Sequence, residues 1–327
     1  MRIAFISFAA ALAIALPTAA QEAPKGAPSP GEIVAAAPAQ DWVAIAPNDL
    51  LVMTLAPIRD GHERQVIIQL MPPPFSQGWA GNIRKLAAAH WWDGLAITRV
   101  QDNYVVQWGD PDADDKTKAK PLPVRLAKVP EANYTTRIRP SMLIGGDPSG
   151  IVLLPATTLG KSDAYARQTG FFGGWPVGLN LIASTVWPVH CYGMVGVGRN
   201  YSPDTGSGAE LYTVIGHAPR HLDRNIALVG RVVEGIEHLS SLPRGTAALG
   251  FYEEREQLVP IVSVRLASQL PPPERPTFQY LSTESDSFAR YADARANRRD
   301  PFFIVPAGGA DICNIPVPVR RAPTTGG

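Results

Sequence analysis

The sequence predicts a mainly-β protein, an antiparallel barrel or sandwich with two helices, and three observations predict it. About eight short apolar, β-branched runs recur at close spacing. Only two stretches within that series carry a helical period. Proline (32) and glycine (29) punctuate the whole 327-residue chain. A doubly wound α/β fold would need a helix between most strands, and those helices are missing. Hydrophobic residues make up 45% of the chain, enough for a buried core, against 18% charged. Lys+Arg number 30 and Asp+Glu 29, a net charge of +1. No field of one sign would draw the protein onto nucleic acid or an acidic membrane.

The chain opens on an address. Arg2 precedes an apolar run from Ile3 to Leu16, Pro17 breaks it, and Thr18-Ala19-Ala20 offers small residues for signal peptidase. The run is too short for a transmembrane helix. Residues 1–20 therefore read as a signal peptide, and the mature protein as exported, periplasmic or secreted, with no membrane span. Residues 21–40 are rich in Ala, Pro and Gly without a period and read as a flexible leader. An oxidising compartment permits a disulfide between the chain's two cysteines, Cys191 and Cys313. Two cysteines and scattered histidines give no zinc spacing. No metal and no cofactor is expected.

The elements follow in order. Asp49–Ala56 and Gln65–Met71 form a hairpin around Arg59-Asp60-Gly61-His62. Gln77–His90 is helical, with Ile83, Leu86, Ala87 and His90 on one face. Leu95–Val100 and Tyr104–Trp108 are two further strands. About 111–190, apolar runs are broken by Gly and Pro, and read as a long insertion of loops and small strands. Strands resume at Tyr192–Val197, Leu211–Ile215 and Ile226–Val233. Val233, Ile236, Leu239 and Leu242 mark a short helix, and Val259–Ala267 a last strand. The main domain thus spans 41–268. A C-terminal extension, 269–327, begins at a proline run and contains a helix over Asp286–Arg298 with Phe288, Tyr291 and Ala292 on one side. His190 beside Cys191 does not make a base–nucleophile pair, because adjacent strand residues point to opposite faces.

Two blocks resemble the cyclophilin family. In the first, Asp93-Gly94 leads into a strand bearing Arg99. Tyr104 follows five residues later, Gln107 three after that, and Gly109-Asp110 closes the run. The second runs from Gly206 through Glu210 and Tyr212 to His221-Leu222-Asp223 and Val229–Gly235. The resemblance covers roughly Leu50 to Ala267. It implies a closed eight-stranded antiparallel β-barrel capped by two helices, and cis–trans isomerisation of X–Pro bonds as the activity. It implies Arg99 and Gln107 as the catalytic pair, with Gln107 bonding the peptide backbone. Tyr104, Val105, Tyr212 and Leu222 would form the proline pocket, and Val195, Gly196 and Val197 would line the groove for the peptide. Glu210 stands where a glutamine is usual and is placed to pair with Arg99. His221 takes a pocket position often held by tryptophan, and Trp108, in place of a small glycine, would narrow the groove. Tyr104 and Tyr212 replace phenylalanines, so each adds a hydroxyl that needs a partner.

The chemistry needs no nucleophile. Amide resonance sets a rotation barrier of ~18–20 kcal/mol, and a cationic donor aimed at the prolyl nitrogen weakens that resonance. The partners expected are proline-containing segments of exported client proteins. The rebuilt pocket leaves a second reading open: a catalytically weak or inactive barrel that holds proline peptides as a chaperone. A further expectation is that residues 269–327 fold across the barrel and cover or dock against its groove.

Overall fold

The computed structural model of the chain describes residues 26–57, 61–139, 151–154, 156–159 and 163–323. The expected signal peptide lies outside them. In chain order the elements are α1 (Pro30–Ala35), β1 (Trp42–Ala44), β2 (Leu50–Leu55), β3 (Arg64–Leu70), α2 (Gln77–Ala88), β4 (Ala96–Val100), β5 (Val105–Gly109), β6 (Thr136–Arg137), β7 (Ile151–Val152), α3 (Ala156–Leu159), β8 (Gln168–Phe172), β9 (Trp175–Asn180), β10 (Thr185–Pro188), β11 (Met194–Val197), β12 (Leu211–Val214), β13 (Leu228–Glu234), α4 (Glu237–Ser240), β14 (Val259–Leu266), β15 (Phe278–Leu281), α5 (Asp286–Ala296) and β16 (Val319–Arg321).

The alternating β-branched runs build a barrel. Eight strands close in the order β11-β12-β5-β4-β14-β2-β3-β13, and β13 pairs back onto β11. Every pairing is antiparallel, and closure removes the exposed edges that an open sheet would present. The interior is filled by inward residues such as Met53, Ile68, Val106, Trp108, Val197 and Leu211. Helix α2 caps one end by burying Trp79, Ile83 and Leu86. The second expected helix is a single turn, α4, whose Leu239 reaches the same core.

The insertion departs from expectation. Its expected small strands are joined into one five-stranded antiparallel sheet, β6-β10-β9-β8-β7, an organisation the sequence reading did not anticipate. The sheet was masked in sequence because Pro and Gly sit inside its strands. In β9, Gly178 is required by packing: a Cβ there would come within 2.7 Å of the Trp187 indole. The leader departs as well. Within 21–40, α1 is an ordered helix started by a capping box. The Ser29 hydroxyl accepts from the Glu32 amide at 3.3 Å, and the Glu32 carboxylate accepts from the Ser29 amide at 2.7 Å. Ile33 and Val34 pack toward Phe288 and Tyr291 of α5. Insertion sheet, α1 and α5 therefore share a second core, which includes Phe171, Trp175 and Val186.

The extension adds a three-stranded sheet, β1-β15-β16. Its Phe278 packs on Leu50, Val52 and Ile67, on the outside of the barrel. Cys191 and Cys313 form the expected disulfide, joining residues 122 apart and fastening the extension to the end of the insertion. Closing so long a loop in the unfolded chain contributes ~4–5 kcal/mol. Replacing both cysteines with serine is expected to lower the unfolding free energy by about that amount in urea titration. An unchanged midpoint would show that the bridge does not stabilise the fold.

Candidate active site

Alternate residues of a strand share a face, and four barrel strands turn theirs outward to one patch. Arg99 of β4 pairs in register with Gln107 of β5, Gln107 with Tyr212 of β12, and Tyr212 with Gly196 of β11. Val105 and Val214, also opposite one another, extend this outer face beside Tyr212. The residues between them, Val106, Trp108 and Leu211, point into the core.

Arg99 is fixed by three hydrogen bonds and two aromatic rings. Its Nε donates to Leu249 O at 2.7 Å and its Nη1 to Gln107 Oε1 at 3.0 Å, while Nη2 donates to Gln101 Oε1. The guanidinium lies 5.3 Å from the Phe251 ring centroid and 5.7 Å from that of Tyr104. Burial lowers the pKa of Arg99, with Tyr104 and Glu210 opposing; the group stays a cation. Gln107 Nε2 donates to Glu210 Oε1. The direct Arg99–Glu210 pairing anticipated from sequence is therefore replaced by a bridge: Gln107 accepts from the arginine and donates to the carboxylate. Three of the five guanidinium N–H groups have partners among the described residues. One N–H on each of Nη1 and Nη2 is left for a ligand.

A pocket of ≈ 120 Å³ is lined by Arg99, Tyr104, Val105, Gln107, Tyr212 and Leu222, with Gly198, Arg199 and Ile226. It opens beside a groove of ≈ 960 Å³ that shares Arg99 and Gln107 and includes Glu210, Phe251 and Tyr201. The pocket holds roughly four water volumes, a small recess with Val105, Leu222 and Ile226 among its walls and the Arg99 cation at its rim. Tyr212 is 5% exposed, and its hydroxyl meets His190 Nε2 at 2.9 Å. Burial raises the Tyr212 pKa well above the ordinary phenol value. Tyr104 is stacked on His221 with centroids 6.5 Å apart, and burial raises its pKa too.

Six of the residues expected from sequence thus converge on one pocket: Arg99, Gln107, Tyr104, Val105, Tyr212 and Leu222. Others are placed differently. Val195 and Val197 lie in the barrel interior, because β11 alternates and turns Gly196 and Gly198 outward instead. Gly196 backs the site: a Cβ there would come within 2.3 Å of the Tyr212 ring. His221 is exposed and supports Tyr104 from outside instead of lining the pocket. Trp108 is buried in the core and does not narrow the groove. Among the described residues, none of the extension lines the pocket or the groove, so it does not cover them. Sequence reasoning passed over Gln101, Phe251 and Arg199. Gln101 had a legible signal, since it stands two residues from Arg99 at the strand end; Phe251 arrives from a distant loop and had none.

The sequence matches the model of the cyclophilin type peptidyl-prolyl cis-trans isomerase/CLD family over residues 78–266. The chain belongs to the cyclophilin family. This cyclophilin is an isomerase by that membership. A cyclophilin of Hirschia baltica shares its fold, with a TM-score of 0.63 and 22% identity over 85% of this chain and 92% of that one. A cyclophilin type peptidyl-prolyl cis-trans isomerase of Cryptosporidium parvum, crystallised in the presence of the dipeptide Ala-Pro, is also similar. It matches at 11% identity and a TM-score of 0.35, over 66% of this chain and 97% of that one. No curated protein matches the sequence.

In this cyclophilin the Glu210 carboxylate fixes the amide of Gln107, and through it Arg99. Glu210→Ala leaves a part-buried amide N–H without its acceptor, a loss of ~1–3 kcal/mol. It is expected to reduce kcat/KM on an Ala-Pro peptide about tenfold, whereas Glu210→Gln, which keeps the acceptor, stays close to wild type. Equal activity of the two variants would show that the bridge does not position Arg99.

Proposed function

We propose that this cyclophilin isomerises X–Pro bonds of exported proteins outside the cytoplasm, by a non-covalent mechanism in which Arg99 stabilises the twisted amide. The observation that carries the mechanism is the guanidinium itself, fixed at the rim of the pocket with one N–H on each Nη left for a ligand. The prolyl ring occupies the recess between Tyr104, Val105, Tyr212 and Leu222, which holds it while the chain on the other side of the bond turns. As the C–N bond twists, the nitrogen lone pair localises and becomes an acceptor that the planar amide does not offer. Arg99 donates to it, so the hydrogen bond is stronger in the transition state than in the ground state. A bond of this charged type is worth ~1.5–3 kcal/mol, on the order of 10–100-fold in rate.

The export half of the proposal is supported by the apolar run Ile3–Leu16 followed by small residues, and by the Cys191–Cys313 disulfide, which suits an oxidising compartment. Uncatalysed prolyl isomerisation takes tens of seconds, slow enough to limit the folding of exported chains.

Exchange NMR on an Ala-Pro peptide tests the mechanism. Wild type is expected to accelerate exchange, and Arg99→Ala to lose about 10–100-fold of kcat with its fold intact by circular dichroism. Undiminished exchange in Arg99→Ala would remove the arginine from the mechanism. Peptide-induced shifts without any acceleration would identify a binding module instead.

A further inference from the structure

We propose that His190, supplied by the end of the insertion, is a positioning residue of the proline pocket: through Tyr212 and Leu222 it fixes two of the walls that hold the prolyl ring. The proposal rests on the isomerase reading above. His190 lines neither the pocket nor the groove, and it acts through its neighbours.

A phenylalanine at 212 would need no partner; a tyrosine that is 5% exposed does. Its partner, the His190 ring, is fully buried and nearly parallel to the phenol, with an interplanar angle of 10°. The other ring nitrogen, Nδ1, lies 2.9 Å from Asp223 Oδ1, and the backbone N–H of His190 donates to the same oxygen at 2.9 Å. A carboxylate only accepts, so Nδ1 carries the hydrogen and Nε2 the lone pair. Burial favours the neutral ring, outweighing Asp223. Tyr212 must therefore donate to Nε2, and its ring has one direction in which to point.

Asp223 is itself unable to turn. Its Oδ2 accepts from Arg220 Nε at 2.6 Å, and Arg220 donates to both oxygens of Asp163 at 3.0 and 3.3 Å. Both partners of the Arg220–Asp223 pair are almost fully buried, with side chains 3% and 1% exposed. The pair also closes the turn Arg220–Leu222, which carries Leu222 into the pocket. One network thus sets Tyr212 from behind and Leu222 from below. Asp163 and His190 belong to the insertion, and the disulfide of the adjacent Cys191 brings Cys313 Sγ to 3.7 Å from the His190 carbonyl. On the other side the Tyr212 ring rests against Gly196, leaving no room to retreat. A tyrosine without its acceptor has only the ≈ 120 Å³ recess to turn into.

The test is a double-mutant cycle in the disulfide-bonded mature chain, reading KM and kcat separately by exchange NMR on an Ala-Pro peptide. His190→Leu is expected to raise KM about tenfold with kcat little changed. Adding Tyr212→Phe to His190→Leu is expected to bring KM back to that of the Tyr212→Phe single variant, because no hydroxyl is then left unpaired. His190→Gln, which can accept from Tyr212 and donate to Asp223, is expected to match wild type. An unchanged KM in His190→Leu, or no rescue by Tyr212→Phe, would overturn the proposal; a purely structural histidine predicts lost stability without rescue in KM. Should His190→Leu not fold, Asp163→Asn at the outer end of the network is expected to raise KM about threefold and to be relieved by Tyr212→Phe, and the absence of both effects would overturn it. If wild type accelerates no Xaa-Pro peptide, the isomerase reading fails separately, and the same cycle is read in peptide Kd by shift titration.

Discussion

Alternation within a closed barrel is the constraint on which the rest of the site depends. Once β4, β5, β12 and β11 pair in register, every second residue is committed to the core and the remainder to a common outer patch. Val106, Trp108 and Leu211 fill the interior, and Arg99, Gln107 and Tyr212 are left side by side outside. A slip of one residue in any of these pairings would bury the arginine and expose the tryptophan. The core thus holds this register as a by-product of its own packing.

Outside the barrel, the added parts are joined by groups that burial makes costly to leave unpaired. Arg231 of β13 is the clearest case. It is 6% exposed and has no carboxylate within ion-pairing distance among the described residues. Its Nε donates to Gln69 Oε1 at 2.9 Å within the barrel, and its Nη1 to Gly174 O at 2.8 Å in the insertion. The guanidinium stacks 4.4 Å from the Trp175 centroid and 5.8 Å from that of Tyr280, in the extension's sheet. Desolvation lowers its pKa to about 10, which still leaves a cation at neutral pH. Barrel, insertion and extension meet on this one side chain, with π faces and neutral acceptors in place of a counter-ion. The Asp163–Arg220–Asp223–His190 network plays the corresponding part nearer the pocket, there with one guanidinium set between two carboxylates.

What could be read in the sequence follows from how local its cause was. The barrel strands were legible because β-branched runs and Asp-Gly turns are local signals, and Arg99, Gln107, Tyr104 and Tyr212 because two short blocks, each local in the chain, resemble the cyclophilin family. The insertion's sheet was not, since Pro176 and Gly178 inside β9 erase the period, and the need for Gly178 lies in a neighbouring strand. Helix α1 had a legible cue, the Ser29-x-x-Glu32 box, hidden in a segment whose composition looked featureless. Val195 and Val197 were assigned to the wrong face because the register of β11 is set by its partners. The hydroxyl of Tyr212 announced that a partner must exist; only the fold could bring up His190, 22 residues earlier in the chain, to supply it.

The central claim, that the outer patch around Arg99 is the proline site, is tested most directly by a crystal structure of the protein with an Ala-Pro peptide bound. The account predicts the pyrrolidine ring between Tyr104, Tyr212 and Leu222, with an Arg99 Nη within hydrogen-bonding distance of the prolyl nitrogen or the adjoining carbonyl, and Gln107 still bridging to Glu210. A peptide bound elsewhere on the molecule, or an empty pocket at saturating peptide, would contradict it.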